Sequence, residues 1–173
     1  MCMKGLEQYD VKLLLALVKS VGGRTDFFRV LVEGPHPELA AFSNAIRGDD
    51  DAMVWLFKHN FAWLAILSNA CDGQQKAREW VAKALPKVNI MFALACRRDP
   101  TALRWLYERK LDIFLMLAQA TEEFLKYQEK EAGSPYTMQF GGHIRAREAL
   151  TEWKNQHDND TEERQQQTAE EQR

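Results

Sequence analysis

The sequence predicts an all-α protein: a solenoid of about five stacked antiparallel helical hairpins, followed by a C-terminal helix and a polar tail. The first observation is that successive stretches of the chain align without a gap at a spacing of 25 residues. The second is that most copies carry a turn glycine and a tryptophan at matching positions. These positions are Gly23, Gly48 and Gly73, with Arg98 in the fourth copy, and Trp55, Trp80 and Trp105. A fixed period between about 20 and 50 residues is typical of stacked supersecondary units.

Each copy contains two helical segments separated by a turn. In the first copy, the apolar run at 13–18 forms the leading helix, Gly22 and Gly23 end it, and Thr25 or Asp26 begins the second helix. Such short helices are marginal alone in water, so each pair is expected to bury its apolar stripe against its neighbours. Stability is then expected to be a sum of nearest-neighbour interfaces.

The later copies repeat this pattern with their own helix signals. In the second copy, Pro37 suits the first helical position, Gly48 suits the left-handed end of the first helix, and Asp49 or Asp50 suits the cap of the second. Asp99 and Pro100 supply a cap and a first helical residue in the fourth copy. A fifth, atypical unit begins near residue 111 and is predicted to remain helical through residue 131, as expected of a terminal repeat.

The domain organisation follows from this alignment. A helical-repeat domain covers 1–132, and a linker at 133–142 contains the next helix-breaking residues. A C-terminal helix is predicted at 143–154 and a disordered acidic tail at 155–173, with six acidic and two basic residues. The units of the repeat domain are placed at about 12–36, 37–61, 62–86, 87–111 and 112–132.

Composition and cysteine content restrict the function classes. A net charge of −2 argues against a general polyanion binder. Three cysteines without C-x-x-C spacing indicate neither a disulfide framework nor a zinc site. Cys71 and Cys96 occupy matching positions in adjacent units, where an expected helix spacing of about 8–10 Å exceeds the reach of a disulfide. The longest apolar stretch, 61–67, is too short for a membrane span, and no signal cleavage site follows the run at 13–18. A cytoplasmic protein is expected.

One stretch resembles a known repeat family. Residues 70–81, with the sequence ACDGQQKAREWV, are similar to the second half of an ankyrin repeat. There, a pair of small residues ends the first helix, a glycine makes the turn, and two apolar residues close the second helix. The resemblance covers about residues 12–120 and implies stacked antiparallel helix pairs that serve as a protein-binding surface. Ankyrin units are about 33 residues long, whereas these are shortened to 25 and leave no room for the hairpin between units.

The aromatic residues have two interpretations. Trp55, Trp80 and Trp105 each precede an aliphatic residue, which favours core packing over a row that stacks bases or grips a peptide. Trp63 falls outside the row and is a candidate surface residue for partner contact.

Polar residues near the ends of the first helices are further candidates for partner binding. Asn44 and Asn69 lie at equivalent positions, where they either contact a partner or bond to neighbouring units and turns. Arg47, Arg97 and Arg98 complement the negative helix ends. Alternatively, they form a basic rim that recognises an acidic partner or the acidic tail.

No catalytic, metal-binding or cofactor-binding pattern is predicted. The four histidines, His36, His59, His143 and His157, show no paired spacing with each other or with cysteine. The acidic run at 49–51 lacks the alternating spacing of a calcium loop.

The expected function is a non-enzymatic protein–protein interaction module, which binds a partner on the concave face of the stack. Three alternatives remain: a nucleic-acid-binding helical-repeat protein, an enzyme with a site between helices, and a structural or self-assembling protein.

Overall fold

The computed structural model describes residues 5–131, and over that range the chain is helical and contains no strand. The predicted linker 133–142, the helix 143–154 and the tail 155–173 lie outside the described residues. A 3-10 helix at Leu6–Gln8 comes first. The α-helices of the described range are α1 (Val11–Val21), α2 (Thr25–Glu33), α3 (Pro37–Ile46), α4 (Asp50–Lys58), α5 (Ala62–Cys71), α6 (Gln75–Ala84), α7 (Lys87–Ala95), α8 (Pro100–Glu108) and α9 (Asp112–Glu131). The all-α prediction is confirmed.

The helices follow one another in packed pairs, called hairpins below, with a constant spacing along the chain. The second helices α2, α4, α6 and α8 begin at 25, 50, 75 and 100, and each packs on the helix before it. The first helices α3, α5, α7 and α9 begin at 37, 62, 87 and 112. α9 continues to Glu131, as the sequence predicts, and is about twice as long as the others.

The turn inside each hairpin uses the same backbone geometry. Gly48 has φ +82°, its N–H donates to the carbonyl of Ala45, and the N–H of Asp49 donates to the carbonyl of Asn44, both at 3.0 Å. These two bonds define a Schellman ending, in which a left-handed residue lets the last helical carbonyls find donors. The same position and positive φ recur at Gly23 (+92°), Gly73 (+100°) and Arg98 (+61°).

The predicted helix caps also form. The carboxylate of Asp49 accepts the N–H of Ala52 at 3.1 Å, and that of Asp99 accepts the N–H of Ala102 at 2.8 Å. Pro37 is the first residue of α3, and α8 likewise begins with proline. These local signals explain where α3, α4 and α8 begin.

The repeated tryptophans occupy matching places, each as the sixth residue of its helix. They are half-buried and pack against the edge of the core. The aliphatic residue after each one is fully enclosed instead: Leu56, Val81 and Leu106. In two copies a polar side chain one helical turn later covers the indole. The ring of His59 stacks on Trp55 at 4.0 Å, and the guanidinium of Arg109 lies 4.2 Å from the ring centre of Trp105.

The first helices are connected in a closed circuit of contacts. Helices α1, α3, α5, α7 and α9 each pack against the next, and α9 also packs along α1. The start of the described chain is held to α7, because the N–H of Leu6 donates to Oδ1 of the fully buried Asn89 at 2.9 Å. The predicted solenoid is therefore not confirmed, since the long final helix lies against the first.

Candidate functional site

The arginines that the sequence predicts to bind a partner lie at the C-terminal ends of the first helices, where other parts of the chain contact them. Nη1 of Arg47 donates to the carbonyl of Val21 at 3.3 Å, and its guanidinium lies 4.8 Å from the ring centre of Phe124. The backbone carbonyl of Arg47 accepts a bond from the side chain of Gln128 at 3.0 Å. Arg47 therefore joins the end of α3 to the last residue of α1 and to α9.

Arg97 and Arg98 make comparable intramolecular contacts. Arg97 donates to the carbonyl and to the carboxylate of Asp72, at 2.6 and 2.8 Å, and to Glu129 at 2.6 Å. Nε of Arg98 lies 3.0 Å from the carboxylate of Glu122. Both acidic partners on α9 belong to the fifth unit rather than to the tail 155–173, which lies outside the described residues.

The two asparagines that the sequence predicts as partner contacts also lie near the C-terminal ends of the first helices, and they form local contacts. Nδ2 of Asn44 lies 3.5 Å from a carboxylate oxygen of Asp49, and Oδ1 of Asn69 accepts a bond from Gln74 at 3.3 Å. Both side chains are half-exposed. The structure thus brings five of the six predicted site residues to one end of the hairpins, where α9 packs against their arginines.

Trp63 does not lie with them, and its interpretation as a surface residue is wrong. Only 7% of this residue is exposed. It is the second residue of α5, which packs between α3 and α7 and is buried on several sides. Sequence reasoning missed this because it treated the tryptophan row as the only tryptophans directed at the core.

The opposite end of the first helices contains a cavity of about 570 Å³. The residue before α1 and the first residues of α3 and α5 meet here, so three helix N-termini share the cavity. Its lining residues are Gln8, Tyr9, Asp10, Leu13, His36, Glu38, Asn60, Phe61 and Trp63. The set includes two carboxylates and three aromatic side chains apart from histidine, and contains neither lysine nor arginine.

A buried carboxylate is the central polar group of the cavity. Glu38 is 5% exposed, and its Oε1 accepts a hydrogen bond from the hydroxyl of Tyr9 at 3.0 Å. Nδ1 of His36 lies 3.0 Å from the same oxygen, and the rings of Tyr9 and His36 meet edge to face at 5.2 Å. Because hydrogen-bonded donors hold it, this carboxylate has a defined position from which it can bind a further donor.

The same surroundings determine the protonation state of Tyr9. Burial, with the charge and hydrogen bond of Glu38, raises the pKa of the Tyr9 phenol well above its usual value. Tyr9 therefore stays protonated near neutral pH and acts as a hydrogen-bond donor. The sequence offered only the local part of this cluster, His36 two residues before Glu38. Tyr9 is 29 residues from Glu38 and joins it only through folding.

Other reactive groups are less accessible. Burial raises the pKa of the Cys71 thiol well above its usual value, and the adjacent Cys96 raises it further. The thiol is therefore protonated and a poor nucleophile near neutral pH. Across residues 5–131, no group of three or more histidine, cysteine or acidic side chains is arranged to hold a metal ion.

No protein-family model, curated protein or solved structure matches the chain. The likeness to ankyrin repeats consequently has no support beyond the residues that suggested it. Within the described part of the chain, every helix is too short or too polar to traverse a lipid bilayer.

Proposed function

We propose that the protein is a non-enzymatic protein–protein interaction module of the cytoplasm, built as a short helical-repeat stack. The partner binds at the N-terminal ends of the first helices, away from the concave face and the arginine-bearing turns that the sequence suggested. The observation that carries it is the cavity of about 570 Å³ where the N-termini of α1, α3 and α5 meet.

The first supporting argument is that the arginines at the C-terminal ends of the first helices are already bonded within the chain. Arg47, Arg97 and Arg98 already have partners in the same chain. A partner that used them would first have to break these contacts, and the binding energy would be reduced by that amount.

The second supporting argument is the construction of the cavity. Tyr9, Glu38 and Trp63 are buried and held in place, whereas Gln8, Asp10 and Asn60 are exposed around them. A preorganised aromatic pocket inside a polar rim is the arrangement that supplies most of the binding energy at protein interfaces.

The test compares two matched glutamine substitutions in the full chain. Gln8→Arg places a long cation at the cavity rim, while Gln75→Arg makes the same change on the exposed side of α6. Each variant is cross-linked in cell extract, and its protein partners are measured by quantitative mass spectrometry. One specific partner of the unmodified chain is expected to be lost from Gln8→Arg and retained by Gln75→Arg.

Retention of every partner by Gln8→Arg would contradict a binding site at this end. Loss of the captured partners after nuclease treatment, with a steep decrease of binding as salt increases, would instead indicate the nucleic-acid alternative.

A further inference from the structure

We propose that the cavity binds a guanidinium group, the side chain of an arginine on the partner protein. This inference rests on the proposed function and names the chemistry of the docked residue.

The charges around the cavity favour a cation. Asp10 and Glu38 contribute two carboxylates, and the lining contains no lysine or arginine. The three helix N-termini oppose this, since each is equivalent to roughly half a positive charge. Together they amount to roughly one and a half positive charges against two full negative charges, so a small negative excess remains in the cavity.

The hydrogen-bonding state of Glu38 provides a specific contact. Tyr9 and His36 both approach Oε1, and none of the hydrogen bonds among residues 5–131 reaches Oε2. Only 7% of the Glu38 side chain is exposed, and it lines the cavity. A guanidinium has five N–H donors and no acceptor, so it can donate a hydrogen bond to Oε2 without placing an acceptor against the carboxylate.

The aromatic lining favours arginine over lysine. The rings of Tyr9, Phe61 and Trp63 line the same cavity as the carboxylate of Glu38. The planar, weakly hydrated guanidinium stacks on such rings, whereas the compact ammonium of lysine holds its water more strongly.

The experiment titrates the full chain, labelled with ¹⁵N, with N-acetyl-arginine amide and with N-acetyl-citrulline amide. Citrulline has nearly the same shape as arginine and no charge. The reporter is the indole N–H signal of Trp63, assigned from its disappearance in Trp63→Phe. The arginine compound is expected to shift this signal saturably and to bind at least about tenfold more tightly than the citrulline compound, as expected for a hydrogen bond to a charged group.

Two variants identify the site. Glu38→Gln retains the size of the side chain and is expected to weaken binding of the arginine compound at least about tenfold. Gln8→Arg supplies a competing guanidinium from an exposed position and is expected to weaken it without altering the buried residues. Glu79→Gln on the exposed side of α6 serves as the matched control and should bind as the unmodified chain does.

Equal affinity for the two compounds, or no saturable shift of Trp63, would overturn the inference, as would unchanged binding in Gln8→Arg. The proposed function fails separately. If the arginine compound binds as expected but Gln8→Arg retains every protein partner, the guanidinium site stands and the protein-docking role does not.

Discussion

Two adjacent glycines after α1 should respond to alanine with opposite changes in stability. Gly22 has φ −69° and ψ 3°, which alanine adopts freely. Its new Cβ would lie 3.4 Å from the carbonyl oxygen of Lys19 and 3.5 Å from that of Val18, which are ordinary van der Waals distances. Gly22→Ala is therefore expected to stabilise the fold by about 0.4–1 kcal/mol, because it restricts the unfolded chain.

Gly23→Ala is expected to destabilise the fold by about 1–2 kcal/mol. Its φ of +92° is unfavourable for a residue with a Cβ, whereas the space is open, since the nearest atom is Nη1 of Arg47 at 3.5 Å. The whole effect is thus a backbone effect rather than a clash.

Urea unfolding of the full chain, followed by far-UV circular dichroism, measures both variants. With a slope of about 2 kcal/mol per molar urea, the two midpoints should differ by roughly 1 M. If both alanines shift the midpoint in the same direction, the turn does not have the left-handed geometry described here.

Three further outcomes are expected. Asn89→Ala should destabilise the fold by about 1–3 kcal/mol in urea unfolding, because it removes buried bonds to the chain start and to the loop before α7. Asn44→Ala, at a half-exposed position near the end of α3, should change the free energy of unfolding by less than about 0.5 kcal/mol. Equal effects of the two substitutions would contradict the anchoring role of Asn89. Phe92→Ala should destabilise the fold by about 3–5 kcal/mol, because Phe92 is fully buried. Trp80→Ala should destabilise it by less, because Trp80 is half-buried. The reverse order of the two urea midpoints would place Trp80 in the core. The raised pKa of Tyr9 means that the folded state retains a proton that the unfolded state releases, so the free energy of unfolding should fall as pH rises above about 10. Tyr9→Phe should show a shallower fall in pH-dependent urea unfolding, and an identical profile would show that Tyr9 does not contribute.

The sequence predicted the features that depend on neighbouring residues. Gly48 marks a left-handed turn and Pro100 the first turn of a helix, and both effects act within a few residues along the chain. The same logic even placed Arg98 at a glycine position, where the backbone indeed keeps a positive φ.

The features that sequence reasoning could not supply depend on contacts between distant residues. Asn89 reaches Leu6 across 83 residues, and Tyr9 reaches Glu38 across 29. No periodicity encodes such pairs, because each one depends on how whole helices pack. Trp63 was misassigned for the same reason, since its burial comes from the helices on both sides of α5.

The packing of α9 along α1 has a consequence for how the molecule is made. As the chain leaves the ribosome, the side of α1 that faces α9 has no cover until residues 112–131 have been synthesised.

A linear array can gain or lose a unit by gene duplication or deletion with little harm to the rest. Here an extra hairpin would push the last helix away from the first, so evolution is expected to conserve the number of hairpins more strictly than their surfaces.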